Sequence, residues 1–136
     1  MKKYILITGL LIVTIFCYSQ SIESTVYLHA KCLTDFNIGI DKQIGKINLG
    51  LAYEHFGKLN LDAIYCRLYA KTYQFENYTN FIGFDAGICN NDLLFSAFTK
   101  QKIDIVNKIS LIFYEKYLSN KFGEGFEFRI GFQYTL

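Results

Sequence analysis

The sequence predicts an all-β protein: an eight-stranded antiparallel transmembrane β-barrel that follows a cleaved signal peptide. Three observations carry this expectation. Residues 1–19 read as an export signal. The rest of the 136-residue chain divides into eight short segments that alternate apolar and polar residues at a period of two, the period of a strand. The most regular of them comes last. In 126–136, Phe126, Phe128, Ile130, Phe132, Tyr134 and Leu136 alternate with Glu127, Arg129, Gly131, Gln133 and Thr135.

The signal begins with Lys2 and Lys3, continues through an apolar run from Tyr4 to Phe16, and ends in the small residues Cys17 and Ser19. Cleavage after Ser19 leaves a single domain, 20–136. The apolar run is short for a spanning helix, which takes ~20 residues. Removing Lys2 and Lys3 leaves twelve basic and twelve acidic residues, so the exported chain is neutral. Nucleic-acid binding requires a clustered basic face and is not expected. Hydrophobic residues form 51% of the chain, too many for disorder, and Pro is absent, which permits long strands. Cys32, Cys66 and Cys89 are widely spaced and odd in number. They read as small apolar residues rather than a disulfide framework.

The elements follow in order. Segment one, 24–32, places Val26, Leu28, Ala30 and Cys32 on one face. Segment two, 35–41, sets Phe36, Ile38 and Ile40 against Asn37, Gly39 and Asp41. A turn at 42–45 leads to segment three, 46–56, where Ile47, Leu49, Leu51, Tyr53 and His55 oppose Lys46, Asn48, Gly50, Ala52 and Glu54. Phe56-Gly57-Lys58 marks a hairpin. Segment four, 59–73, is apolar at odd positions up to Ala63 and at even ones from Ile64, which predicts a bulge near 62–64. Segment five, 81–89, opposes Ile82, Phe84, Ala86 and Ile88 to Gly83, Asp85, Gly87 and Cys89. Asn90-Asn91-Asp92 is a turn signal. Segment six, 93–99, is weakly patterned and ends at Lys100–Lys102. Segment seven, 103–118, fits a strand, favoured by its isoleucines, or a helix with an Ile105, Val106, Ile109, Ile112, Phe113 stripe.

A strand needs ~9–11 residues to cross a bilayer, apolar outward and polar inward. Most of the segments reach that length. Tyr53, Phe56, Tyr73, Phe81, Tyr117, Phe122 and Tyr134 lie near segment ends, where interfacial aromatic girdles form. Eight strands enclose a lumen just wide enough for side chains. Its candidate ion-pairing residues are Asp41, Lys46, Glu54, Arg67, Asp85, Glu127 and Arg129, with Lys31 and Lys71 on the same faces. Charges in so narrow a space must pair.

The last strand, Phe128-Arg-Ile-Gly-Phe-Gln-Tyr-Thr-Leu136, resembles the terminal strand of small outer-membrane β-barrel proteins of Gram-negative bacteria. The family pattern usually ends in an aromatic residue, where this chain has Leu136. The resemblance implies that Phe128, Ile130, Phe132, Tyr134 and Leu136 act as a C-terminal insertion signal read by the barrel-assembly machinery. It also implies contact with outer-membrane lipid and residence in the outer membrane.

Catalytic elements are thin. His29 and His55 fall on opposite faces, no Gly-x-Ser-x-Gly element occurs, and no histidine pair has metal-ligand spacing. The expected role is therefore non-enzymatic and without cofactor: a structural or accessory component of an envelope assembly, with its protein partner unidentified. Two alternatives stand beside it. A soluble secreted β-sandwich or small barrel would bury the even face of 126–136 in a protein core and bind an apolar ligand or a partner. An outer-membrane lipid-modifying enzyme would hold a histidine within hydrogen-bond reach of a serine or carboxylate.

Overall fold

The computed structural model describes residues 21–28, 34–57, 60–118 and 125–136. The expectations for the signal, His29, Lys31, Cys32 and Phe122 lie outside these residues. Eight strands form a closed antiparallel barrel in sequence order. They are β1 (Ser21–Leu28), β2 (Thr34–Ile44), β3 (Ile47–Phe56), β4 (Leu61–Phe75), β5 (Tyr78–Cys89), β6 (Asp92–Val106), β7 (Ile109–Leu118) and β8 (Gly125–Thr135). The barrel closes where β1 pairs with β8, from Ser21↔Thr135 to Val26↔Ile130. A sandwich is thereby excluded, and segment seven contains no helix.

Three turns at one end, Gly45–Lys46, Glu76–Asn77 and Asn107–Lys108, are two residues long. The start of β1 and the end of β8 lie at that same end, here called the terminal end. At the opposite end Asn90 and Asn91 join β5 to β6 with φ of 47° and 72°. Positive φ at both central residues matches the right-handed twist of a hairpin, and asparagine tolerates it.

The alternation sorts the two faces. On β8, Arg129, Gly131 and Gln133 are buried in the lumen, while Phe128 and Ile130 remain 66% and 44% exposed on the outer wall. Inward glycines let neighbouring strands approach. A Cβ on Gly131 would sit 1.9 Å from the backbone oxygen of Ser24 on β1, so this position at the closing seam admits no side chain without a shift of β1.

Several expectations are corrected. The faces of β4 do not shift at 62–64. Leu61, Ala63, Tyr65, Arg67 and Tyr69 all point inward, because part of the lumen is itself apolar. The register shift of β4 against β5 lies between Lys71 and Tyr73. Lys100–Lys102 is not a turn but the interior of β6, and the break falls at Asn107–Lys108. Segment seven therefore divides between the end of β6 and β7. Phe56 and Phe81 belong to no outer girdle, since each packs inside the barrel.

Replacing Gly131 with valine should destabilise the barrel by about 1–3 kcal/mol or more, the cost of overpacking. Urea unfolding of the protein in detergent micelles would measure it. Valine at Gly45, which has open space around it but a φ of +63°, should act through backbone strain alone.

Candidate functional site: the lumenal charge chain

Inward residues from every strand meet in one network. Arg129 of β8 binds Glu127 of its own strand and Glu54 of β3. Lys116 of β7 lies 2.9 Å from Glu54 and 3.0 Å from Asp85 of β5. Arg67 of β4 donates from Nε to Asp85 at 3.1 Å and from Nη1 to Glu23 of β1. Lys100 of β6 reaches Glu23 at 2.6 Å and approaches Asp41 of β2 to 3.8 Å. The result is an unbroken series of alternating sign: Glu127, Arg129, Glu54, Lys116, Asp85, Arg67, Glu23, Lys100, Asp41. It touches all eight strands.

Tyrosines complete the shells of these charges. Tyr65 donates to Glu54 at 2.7 Å and accepts from Lys116 at 3.2 Å. Tyr114 donates to Glu23 at 2.7 Å and accepts from Arg67 at 2.8 Å. Their rings also cover the cations. Lys116 Nζ lies 4.4 Å from the Tyr65 centroid, and the Arg67 guanidinium carbon 4.9 Å from that of Tyr114. Ser96 donates to Asp85 at 3.1 Å. Two apolar clusters flank the network. Ala52, Phe56, Ala63, Tyr65, Cys89 and Leu94 pack toward the end bearing Asn90 and Asn91. Tyr69, Phe98, Ile112 and Tyr114, with Phe81, pack toward the terminal end. Burial between these clusters strips the charges of water, and their pairing with one another offsets that cost.

Among the sequence-derived candidates, Asp41, Glu54, Arg67, Asp85 and Arg129 are buried in the lumen, and Glu127 is partly buried beside Arg129. Lys46 is not there. It sits exposed in the Gly45–Lys46 turn, where the ladder ends and alternation no longer assigns a face. Lys71 is likewise exposed, beside the register shift, and binds Gln74 at 2.7 Å. The sequence reading missed Glu23, Lys100 and Lys116. Glu23 shares the parity of Thr25, and Lys116 that of Tyr114, so a longer first segment and a correct break at Asn107 would have found them. Of the insertion-signal residues, Phe128, Ile130, Phe132, Tyr134 and Leu136 are all exposed, the first four on the outer face of β8.

The outer wall carries polar exceptions. His55 Nδ1 lies 2.8 Å from Asp62 Oδ1, which also accepts from Tyr53 at 2.6 Å. This histidine thus has the carboxylate that a base would need. Among the described residues no serine is hydrogen-bonded to it, and Phe36 packs against both His55 and Tyr53. Glu115, also outward, accepts from Thr99 at 3.1 Å. Cys66 and Cys89 are free and face opposite sides of the wall.

No protein-family description matches this chain, and no curated protein matches it. Among solved structures it is similar to one described as "De novo design of transmembrane beta-barrels". That likeness has a TM-score of 0.73 at 10% identity and covers 88% of this chain and 96% of the other. It shows a shared fold, the small closed β-barrel.

Replacing Arg67 with methionine would leave Glu23 and Asp85 short of a buried partner. The expected loss is about 3–5 kcal/mol, as for other buried pairs broken on one side. Lys108→Met, on an exposed turn, should change stability by less than about 0.5 kcal/mol. Both would be read from urea midpoints in micelles.

Proposed function

We propose that this protein is an integral β-barrel of a Gram-negative outer membrane, non-enzymatic, with a structural or accessory role in an envelope assembly. The observation that carries the reading is the inversion of its two faces. Charges fill the interior, while Ile22, Ile38, Ile64, Phe84, Phe95 and Phe132 stand exposed around the outer wall. A water-soluble protein exposing so continuous an apolar surface would associate or aggregate, whereas lipid is its natural solvent.

Three further features support the reading. Strands of 10 to 15 residues from β2 to β8 are long enough to cross a bilayer at a tilt. Exposed Tyr73, Phe75 and Tyr134 lie toward the terminal end, and Tyr53, Tyr117 and Phe126 toward the other, as interfacial girdles require. The barrel it resembles is described as transmembrane. The packed lumen argues against a diffusion pore. It also argues against an apolar ligand held inside a soluble barrel. The N-terminal export signal and the resemblance of Phe128–Leu136 to an insertion signal supply the route, with the assembly machinery and outer-membrane lipid as partners.

Fractionation and gel mobility test the assignment. The protein should partition with outer membranes and migrate differently before and after heating. Recovery as a soluble periplasmic protein would overturn the reading. Ile130→Arg, which sets a charge on the outer face of β8, should cost ~2–4 kcal/mol if that face contacts lipid near mid-bilayer. An unchanged urea midpoint in lipid vesicles would count against it.

A further inference from the structure

At the terminal end the lumen opens into a cavity of about 570 Å³. This lies within the ~300–1,000 Å³ range of small-molecule sites. Its floor is formed by the buried residues Asp41, Tyr69 and Gln133, and its rim includes Lys46, Lys71 and Lys102.

The floor is chemically incomplete. Glu23, Glu54 and Asp85 each receive several donors within the charge chain. Asp41, only 2% exposed, is the exception. Among the described residues neither of its carboxylate oxygens has a hydrogen-bond partner, and Lys100 stands off at 3.8 Å. Gln133 Oε1, which lines the same cavity, also lacks a partner among them. The unsatisfied atoms facing this space are therefore all acceptors, and leaving buried acceptors unmade is costly. The charge chain holds five carboxylates against four cations, and at this floor it ends in the carboxylate of Asp41.

The rim has the opposite sign. Its acid, Asp104, is already engaged by Lys102 at 3.0 Å and by the Ser110 hydroxyl at 2.6 Å. A hard divalent cation fits poorly, because one carboxylate and one amide oxygen fall short of the six or more oxygens it takes. Lysines at the entrance also disfavour a simple cation.

We propose that this cavity binds a small aminocarboxylate, with its ammonium on Asp41 and Gln133 and its carboxylate among Lys46, Lys71 and Lys102. The site goes beyond the membrane assignment and rests on the cavity alone, so the two can fail separately.

The test is an NMR titration of the signal-free chain, 20–136, in detergent micelles. The probes are 6-aminohexanoate, butylammonium and pentanoate. The zwitterion should bind saturably, with shifts centred on Asp41 and Gln133, and about tenfold more tightly than either half-probe, a factor worth ~1.4 kcal/mol. Asp41→Asn should reduce its affinity to that of pentanoate. Lys71→Gln combined with Lys102→Gln should reduce it to that of butylammonium. If Asp41→Asn loses the heat-dependent mobility of a folded barrel, the rim variant alone decides. Absence of saturable shifts, meaning that water alone completes Asp41, or equal affinity for all three probes would overturn the proposal.

Discussion

A charge buried in a narrow lumen must find its counter-charge inside that lumen, and the rest of this structure follows from that requirement. The series from Glu127 to Asp41 meets it by drawing one or more residues from each strand. Register is thereby specified from within. A one-residue slip of any strand would turn its charge to the outer wall and an apolar residue inward. Backbone ladders alone are indifferent to such a slip, since each offers the same hydrogen bonds in either register. The tyrosines and the flanking apolar clusters reinforce the specification, because they exclude water that could otherwise stand in for a missing partner.

The architecture was legible because alternation survives wherever the outer face is apolar. β3, β5 and β8 could be read almost residue by residue, and Glu54, Arg67, Asp85 and Arg129 emerged from parity alone. The failures share one physical origin. Lumen residues are core residues, and this core mixes ions with aromatics. Leu61 and Ala63 point inward beside Tyr65, so an apolar run that follows the inner face mimicked a bulge. Lys100 and Lys102 looked like a solvated turn, yet Lys100 is among the most deeply buried side chains present. The Asn107–Lys108 turn was hidden for the converse reason, since isoleucines flank it on both sides.

The equality of acids and bases in residues 20–136 acquires a spatial meaning. Nine of these twenty-four charges, five acidic and four basic, lie within one network, so a large part of the balance is struck in the interior and not on a solvated surface. Overall charge consequently says little about what the outside of the barrel would attract. The outer wall is defined by shape and apolarity, and two of its acids are satisfied locally, Glu115 by Thr99 and Asp62 by Tyr53 and His55.

The pairing of β1 with β8 spans only Ser21 to Val26, the shortest ladder in the barrel among the described residues. A seam so brief would be the natural place for the wall to come apart. Glu23 sits in the middle of it, and its side chain is gripped from across the lumen by Arg67, Lys100 and Tyr114, on three strands that do not adjoin it. The first strand is thus fastened less by its edges than by its interior. The barrel behaves like a hoop whose clasp is on the inside, where neither a competing strand edge nor the surrounding solvent can reach it.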